Sequence, residues 1–181
     1  MGTRWKRSIA VVDNLKNDVS VYGLVAMPLV IDPLSTIETS ALLTGIAFSG
    51  DGERLAWGER EGTFHISDPD GSNSKEIELE GAPGPIAALS QNRFVMGMSD
   101  ADLHLVSSDG EVIWSHKVSG GCDVLSVSPS GGLIAVIDGS RSLHMLDIHG
   151  RGLHSYGSSE LNLVAVDRTG RTVAVADDAG I

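Results

Sequence analysis

The chain repeats itself at intervals of about forty residues, and few folds accommodate that period. TGIAFSGDGERLAWGEREGTFHISDPDG (44 to 71), PIAALSQNRFVMGMSDADLHLVSSDG (85 to 110) and DVLSVSPSGGLIAVIDGSRSLHMLDIHG (123 to 150) run through the same events. Each has an alternating apolar stretch, a polar turn, a second apolar stretch, a second polar turn, a third stretch and a glycine turn. Anchored on their first inward apolar residue, the copies start at Ile46, Ala87 and Leu125, and a fourth starts at Val164, giving steps of 41, 38 and 39 residues. Apolar alternation with a period of two marks half-buried strands. Self-similarity at this spacing marks an array of supersecondary units that bury their faces against one another.

The turn residues agree with that reading. Asp51-Gly52, Ser130-Gly131 and Thr169-Gly170 fall between first and second strands, and Asp70-Gly71, Asp109-Gly110 and His149-Gly150 follow the third. Such pairs supply the left-handed backbone that tight hairpins need. Fourth strands follow as KEIELEG (75 to 81), EVIWSHKV (111 to 118) and RGLHSYG (151 to 157). Four short antiparallel strands per forty residues predict an all-β chain, a β-propeller whose blades are four-stranded antiparallel sheets around a channel. Apolar residues make up 41% of the chain and aromatic residues 4%, so the core must be layered Val, Ile, Leu and Ala. At 181 residues the chain is long enough for one domain and short for two.

The N-terminal stretch is divergent. SIAVVD (8 to 13), DVSVYG (18 to 23), PLVIDP (28 to 33) and TIETSA (36 to 41) read as four strands, and Ile9 precedes Ile46 by 37 residues. The expected blades are therefore 8–43, 44–81, 85–119 and 123–158, with a half blade at 162–181. That makes about four blades plus half of a fifth, an open or incomplete ring. The alternative lays RSIAVVDNLKNDVSVYG (7 to 23) on RSLHMLDIHGRGLHSYG (141 to 157), so that N-terminal strands complete the last blade of a closed four-bladed ring. It leaves 24 to 43 as a long connection, which counts against it.

Over nearly its whole length the sequence resembles the WD-repeat propellers. The resemblance rests on the A-F-S-x-D-G corner at Ala47 to Gly52, apolar second strands such as LAWG, and third strands ending in a two-residue motif before a Gly turn. Ser67-Asp68, Val106-Ser107 and Leu146-Asp147 stand in the Trp-Asp position, and the family's Gly-His pair is absent from APGP (82 to 85) and SGGCD (119 to 123). The stretch Gly110-Glu-Val-Ile-Trp114 also resembles the Gly-x-x-x-Trp docking motif of pyrroloquinoline-quinone-type propellers, which implies a Trp packed between adjacent blades. It is taken as a sign of a propeller and not of a quinone, and no cofactor is expected.

The formal charge of −11 repels phosphate backbones and anionic lipid surfaces, so no nucleic acid or membrane partner is expected. Arg4, Lys6 and Arg7 are read as solvating the N-terminus. Asp13 interrupts the apolar run that follows them, and LVAMPLVI (24 to 31) holds eight residues with Pro28 inside, too few to span a bilayer. Cys122 is the single cysteine, so no intrachain disulfide is possible and a reducing cytoplasmic setting is the default.

His65, His104 and His144 recur at one third-strand position. Sheets packed about 10 Å apart cannot bring three such rings within the ~2 Å that zinc requires, so they are read as rings packed between blades. Asp68, Asp70 and Ser72 have the spacing of calcium-loop oxygens, but Pro69 intervenes and Leu79 stands where the bidentate Glu belongs. A hairpin turn is expected there. No spacing suggests a catalytic constellation, and no enzyme activity is expected. The turns between second and third strands share one rim, where loops on a rigid scaffold commonly recognise partners. Glu59, Arg60, Glu61, Asp100, Asp138, Arg141 and Asp178 are the candidate contact residues, with Arg60 and Arg141 as anchors. The expected function is a noncatalytic scaffold of WD-repeat type for a protein or peptide partner. Remaining blades of a longer propeller, or a second copy joined through open edges, are further candidate partners. The alternative is a quinoprotein-like sensor or enzyme domain with a small ligand in the channel.

Overall fold

The computed structural model describes residues 8–13, 18–23, 33, 35–90, 92–99, 102–128, 130, 132–157 and 160–178, and every regular element among them is a strand. Three four-stranded antiparallel sheets follow one another. The first holds β4 (Leu43–Phe48), β5 (Leu55–Glu59), β6 (Thr63–Ser67) and β7 (Lys75–Glu78). The second holds β8 (Pro83–Leu89), β9 (Arg93–Met98), β10 (Asp102–Ser107) and β11 (Val112–Lys117). The third holds β12 (Val124–Val127), β13 (Leu133–Ile137), β14 (Leu143–Asp147) and β15 (Gly152–Tyr156). Each is a meander with strands in chain order. A three-stranded sheet of β1 (Ser8–Asp13), β2 (Asp18–Gly23) and β3 (Ser35–Glu38) precedes them, and a two-stranded sheet of β16 (Leu161–Val166) and β17 (Val173–Asp177) follows.

Consecutive sheets stack face to face, and their first strands β4, β8, β12 and β16 lie side by side. This is the propeller-like arrangement of about four blades. Alternation within each strand explains the stacking, because successive side chains enter opposite gaps. In β9, Phe94, Met96 and Met98 join Ala56, Phe64 and Ile66 of the preceding sheet. Val95, from the same strand, joins Leu103, Leu105, Ile134 and Val136 in the next gap. In β13, Ile134 and Val136 face backwards while Ala135 and Ile137 meet Leu161, Val164 and Val166 of the last sheet. Full burial of a Leu, Ile or Phe is worth about 1.5–3 kcal/mol, so packing between sheets carries the stability of the array.

Two close approaches show how tightly the gaps are built. A Cβ on Gly97 would lie 2.3 Å from Cys122 Sγ, so β9 accepts only glycine beside that thiol. Burial pushes the Cys122 thiol up to about 12, with Asp123 adding to the effect, which marks a packing residue and not a nucleophile. In the same gap the Trp114 ring lies on Gly150, whose φ is +75°, and Trp114 Nε1 donates to the Ile148 carbonyl at 2.9 Å. Ile37 and Ile77, on the outer strands of the preceding sheets, likewise pack on Gly71 and Gly110.

The register refines the expected repeat. Ile46 pairs with Trp57 and Leu125 with Val136, but the matching residue of the second sheet is Ile86, opposite Met96, and not Ala87. The steps become 40, 39 and 39 residues to Val164. A slip of one residue moves a side chain to the opposite face, and a β-bulge between Pro83 and Ile86 hides the phase in the sequence.

The N-terminal sheet also differs from expectation. The segment expected as fourth strand, β3, pairs directly with β2. β3 leads straight into β4 as β7 leads into β8, which puts β1 in the second-strand position and not the first. The expected third strand at 28 to 33 lies almost wholly outside the described residues. The closed four-bladed ring is not formed, since β1 pairs with β2 while β16 and β17 make a separate sheet. Leu163 is 62% exposed on the outer face of that last sheet.

Candidate functional site

Antiparallel meanders sort their turns. First-to-second and third-to-fourth turns emerge on one rim, and second-to-third turns with the connections between sheets emerge on the other. The described candidate contact residues belong to the second rim, where the structure divides them into interior and exposed groups.

Glu59 and Asp138 are only 3% exposed, a correction to their expected role as surface contacts. Glu59 ends β5 and accepts from Ser40 Oγ at 2.5 Å and Ser40 N–H at 3.3 Å, which ties down the connection entering its own sheet. His65 Nε2 lies 3.4 Å from Glu59 Oε1, a contact without hydrogen-bond alignment, and the ring stacks on Trp57 at 4.9 Å and 8°. Burial pushes the His65 pKa down against the opposing pull of Glu59 and Glu76. Asp138 holds the corresponding place in the third sheet. Its Oδ1 accepts from Ser140 N–H, Ser140 Oγ and Ser142 N–H at 2.9, 2.7 and 2.9 Å, and its Oδ2 lies 2.8 Å from His144 Nε2. Burial raises its pKa, but the bonds from Ser140, Ser142 and His144 outweigh that and hold it below the ordinary carboxylate value.

These are repeats of one device, a carboxylate six residues before a third-strand histidine. The second sheet breaks it, with Met98 in the carboxylate place. There His104 turns Nδ1 to Ser115 Oγ at 2.8 Å, while its Nε2 is buried without a hydrogen bond among the described residues. Burial lowers the His104 pKa, with Asp102 opposing. The three histidines thus lie in the gaps between sheets, each with a separate partner set.

The remaining candidates are exposed. Arg60 and Glu61 form the tip of the β5–β6 turn, where the Arg60 N–H donates to the Leu42 carbonyl at 2.8 Å. Arg141 has φ +62°, the left-handed region that a non-glycine residue enters at a cost. Its N–H donates to the Asp138 carbonyl at 2.8 Å, and its guanidinium pairs with Asp178 of the next sheet. Asp178 also accepts from Asn162 Nδ2 at 2.6 Å. Arg141 and Asp178 are the two of the seven that a side-chain ion pair joins across sheets among the described residues. Asp100 lies outside the described residues.

The opposite rim holds a feature the sequence did not reveal, a cavity of about 720 Å³ spanning successive first-to-second turns. Phe48, Ala88 and Leu89 form its apolar floor, and Asp51, Ser90, Asn92, Ser130 and Arg168 contribute polar groups. Asp51 Oδ1 accepts from Ser49 Oγ at 2.6 Å and Glu53 N–H at 3.0 Å, and Oδ2 accepts from Asn92 Nδ2 at 2.7 Å. On the far side, the Arg168 carbonyl accepts from Ser128 Oγ at 2.8 Å and Ser130 Oγ at 2.6 Å. The serine recurring at the end of three of the four first strands, Ser49, Ser90 and Ser128, was the available signal. Read singly, each is an ordinary turn residue.

The expected hairpin at Asp68 to Ser72 is present, closed by Gly71 N–H to the Asp68 carbonyl at 2.9 Å. Among the described residues no group of three or more His, Cys, Asp or Glu side chains converges as metal ligands, and no helix is long and apolar enough to cross a membrane.

No family model matches the chain, and no curated protein matches it. Among solved structures it is similar to Kuenenia stuttgartiensis hydrazine synthase, with a TM-score of 0.78 and 19% sequence identity. The likeness covers 94% of this chain and 52% of that one, so the chain spans about half the length of that protein. At this identity the similarity is one of fold, and it establishes a β-propeller-like architecture for the chain.

Proposed function

We propose that the chain is a noncatalytic binding module of WD-repeat type that docks a protein or peptide partner on the rim of the second-to-third turns. The observation that carries this reading is the division of labour at the β5–β6 and β13–β14 turns. The interior carboxylates Glu59 and Asp138 use their oxygens on Ser40, Ser140, Ser142 and His144 and so stiffen the backbone, while Arg60, Glu61 and Arg141 are held outward at the tips. Rigid turns presenting charged side chains lose little entropy on docking. The Asp138–His144 contact adds to that stiffening within the third sheet. Arg60 and Arg141 are the proposed anchors, since Arg is favoured at energetic centres of interfaces.

The second reading, a small-ligand propeller of quinoprotein type, draws on the cavity of the opposite rim and on the Trp114 ring lying on Gly150. Quantitative cross-linking to a captured partner separates the two readings. Docking on the proposed rim predicts that Arg60→Glu with Glu61→Lys abolishes capture while Arg168→Gln leaves it intact. Capture that survives the rim reversal and fails with Arg168→Gln contradicts the proposal.

A further inference from the structure

We infer that the cavity between the first-to-second turns is a binding site for a small organic monocarboxylate with an apolar body, and that Arg168 is the residue that recognises its charge. The inference concerns the rim opposite to the proposed docking surface and does not depend on it.

Arg168 is fixed from two sides. Its carbonyl accepts from both Ser128 Oγ and Ser130 Oγ, and from Ser130 N–H at 3.3 Å, all belonging to the neighbouring sheet. The preceding residue, Asp167, gathers Thr169 N–H, Thr169 Oγ1, Arg171 N–H and Thr172 N–H, which locks the turn. A backbone pinned this firmly fixes Arg168 in the cavity lining. Four other arginines have their groups engaged, Arg54 with Asp68, Arg141 with Asp178, Arg151 with Asp147 and Arg93 with the Ser90 carbonyl, and Arg60 and Arg171 stand outside the cavity lining. The guanidinium of Arg168 has no partner among the described residues. The one carboxylate in the lining, Asp51, already accepts from Ser49, Glu53 and Asn92, so it is occupied within its own turn and the next. Arg168 is the one cationic residue in the lining, in a chain of net charge −11, and it offers that charge to an anion.

The rest of the lining narrows the class. The planar fork of an arginine matches the two oxygens of a carboxylate. A doubly charged phosphate would meet the acidic field of the chain and the nearby Asp51, so a single charge fits better. Phe48, Ala88 and Leu89 offer an apolar floor, with Leu89 1% exposed, and the hydroxyls of Ser90 and Ser130 stand beside it. A volume near 720 Å³ lies within the roughly 300–1,000 Å³ usual for small-molecule sites. Gly50 adds room, because a Cβ there would meet nothing within 4 Å.

The probes are 2-naphthoate, its neutral counterpart 2-naphthalenemethanol, and inorganic phosphate, each titrated against the full chain by saturation-transfer NMR. The site predicts that naphthoate binds about tenfold more tightly than the alcohol, the share a charge-assisted bond carries, and that phosphate does not compete. Arg168→Gln brings the acid down to the level of the alcohol. Arg171→Gln, in the same turn and outside the lining, changes neither. Gly50→Leu, which fills the open volume without a strained φ, weakens both. Equal binding of acid and alcohol to the unsubstituted chain overturns the proposal, as does an equal loss from Arg168→Gln and Arg171→Gln. Displacement of naphthoate by millimolar phosphate also overturns it.

Discussion

Substituting Gly150 by Ala tests the seam between the second and third sheets at one atom. Two penalties combine there. The residue has φ +75°, and an L-side chain in the left-handed region costs about 1–2 kcal/mol. The new methyl would also stand 2.9 Å from Trp114 Cδ2 and 3.0 Å from Cε3, and overpacking of this kind adds about 1–3 kcal/mol. The expected loss is about 2–5 kcal/mol. In a Trp114→Leu background the clash disappears and only the backbone term of about 1–2 kcal/mol remains, so the pair should couple by about 1–3 kcal/mol. Gly152, two residues on, has no atom within 4 Å of an added Cβ and no positive φ, so Gly152→Ala should be neutral or slightly stabilising. Urea unfolding followed by far-UV circular dichroism measures all five chains, including the double variant. An equal loss from Gly150→Ala in both backgrounds would show that Trp114 does not lie on Gly150, and the seam as described would be wrong.

Acid should loosen the array through its buried histidines. The folded pKa values of His65 and His104 are depressed by burial, so the unfolded chain binds more protons and stability falls as pH drops through the unfolded value near 6.5. The double variant His65→Gln with His104→Gln should flatten the urea midpoint between pH 7 and 5, and an unchanged slope would contradict the burial of these rings. Asp138→Ala strips a buried carboxylate from Ser140, Ser142 and His144 and should cost about 2–4 kcal/mol. Arg141→Ala breaks only an exposed ion pair and should move the same midpoint far less. Asp138 is held below the ordinary carboxylate value, so its contribution is complete above the unfolded value of about 3.8 and is lost as pH falls through the lower folded one. Replacing Arg141 by Gly relieves its positive φ and should leave stability equal or higher while weakening any partner held on that rim.

The architecture was legible in the sequence because its signal is repeated. Alternating apolar residues and glycine corners recur at each blade, and a repeated error would have to recur with them. The phase was less legible. The anchor at Ala87 is one residue out because the bulge between Pro83 and Ile86 inserts length without changing composition. The N-terminal sheet was misordered because strand signals give presence and not pairing, and β3 is told from a third strand only by its ladder to β2. The site was read through charge. Charge marks Arg60, Glu61 and Arg141 correctly as exposed, but it cannot distinguish them from Glu59 and Asp138, which the register turns inward to Ser40 and His144. The cavity was invisible because its walls come from four turns separated by about forty residues each, and its cation, Arg168, is positioned by hydrogen bonds to its carbonyl and not by its neighbours in sequence.

The claim beneath all of this is that successive sheets stack face to face around a shared line of first strands. Nuclear Overhauser contacts measure that stacking directly in a 19.0 kDa chain. The structure predicts cross-peaks from Gly71 Hα to the Ile37 methyls, from Gly97 Hα to Cys122 Hβ and from Gly150 Hα to the Trp114 indole, each joining segments of neighbouring blades. Strand ladders seen within every sheet without these three contacts would mean that the sheets form but do not stack as blades, and the account would fail.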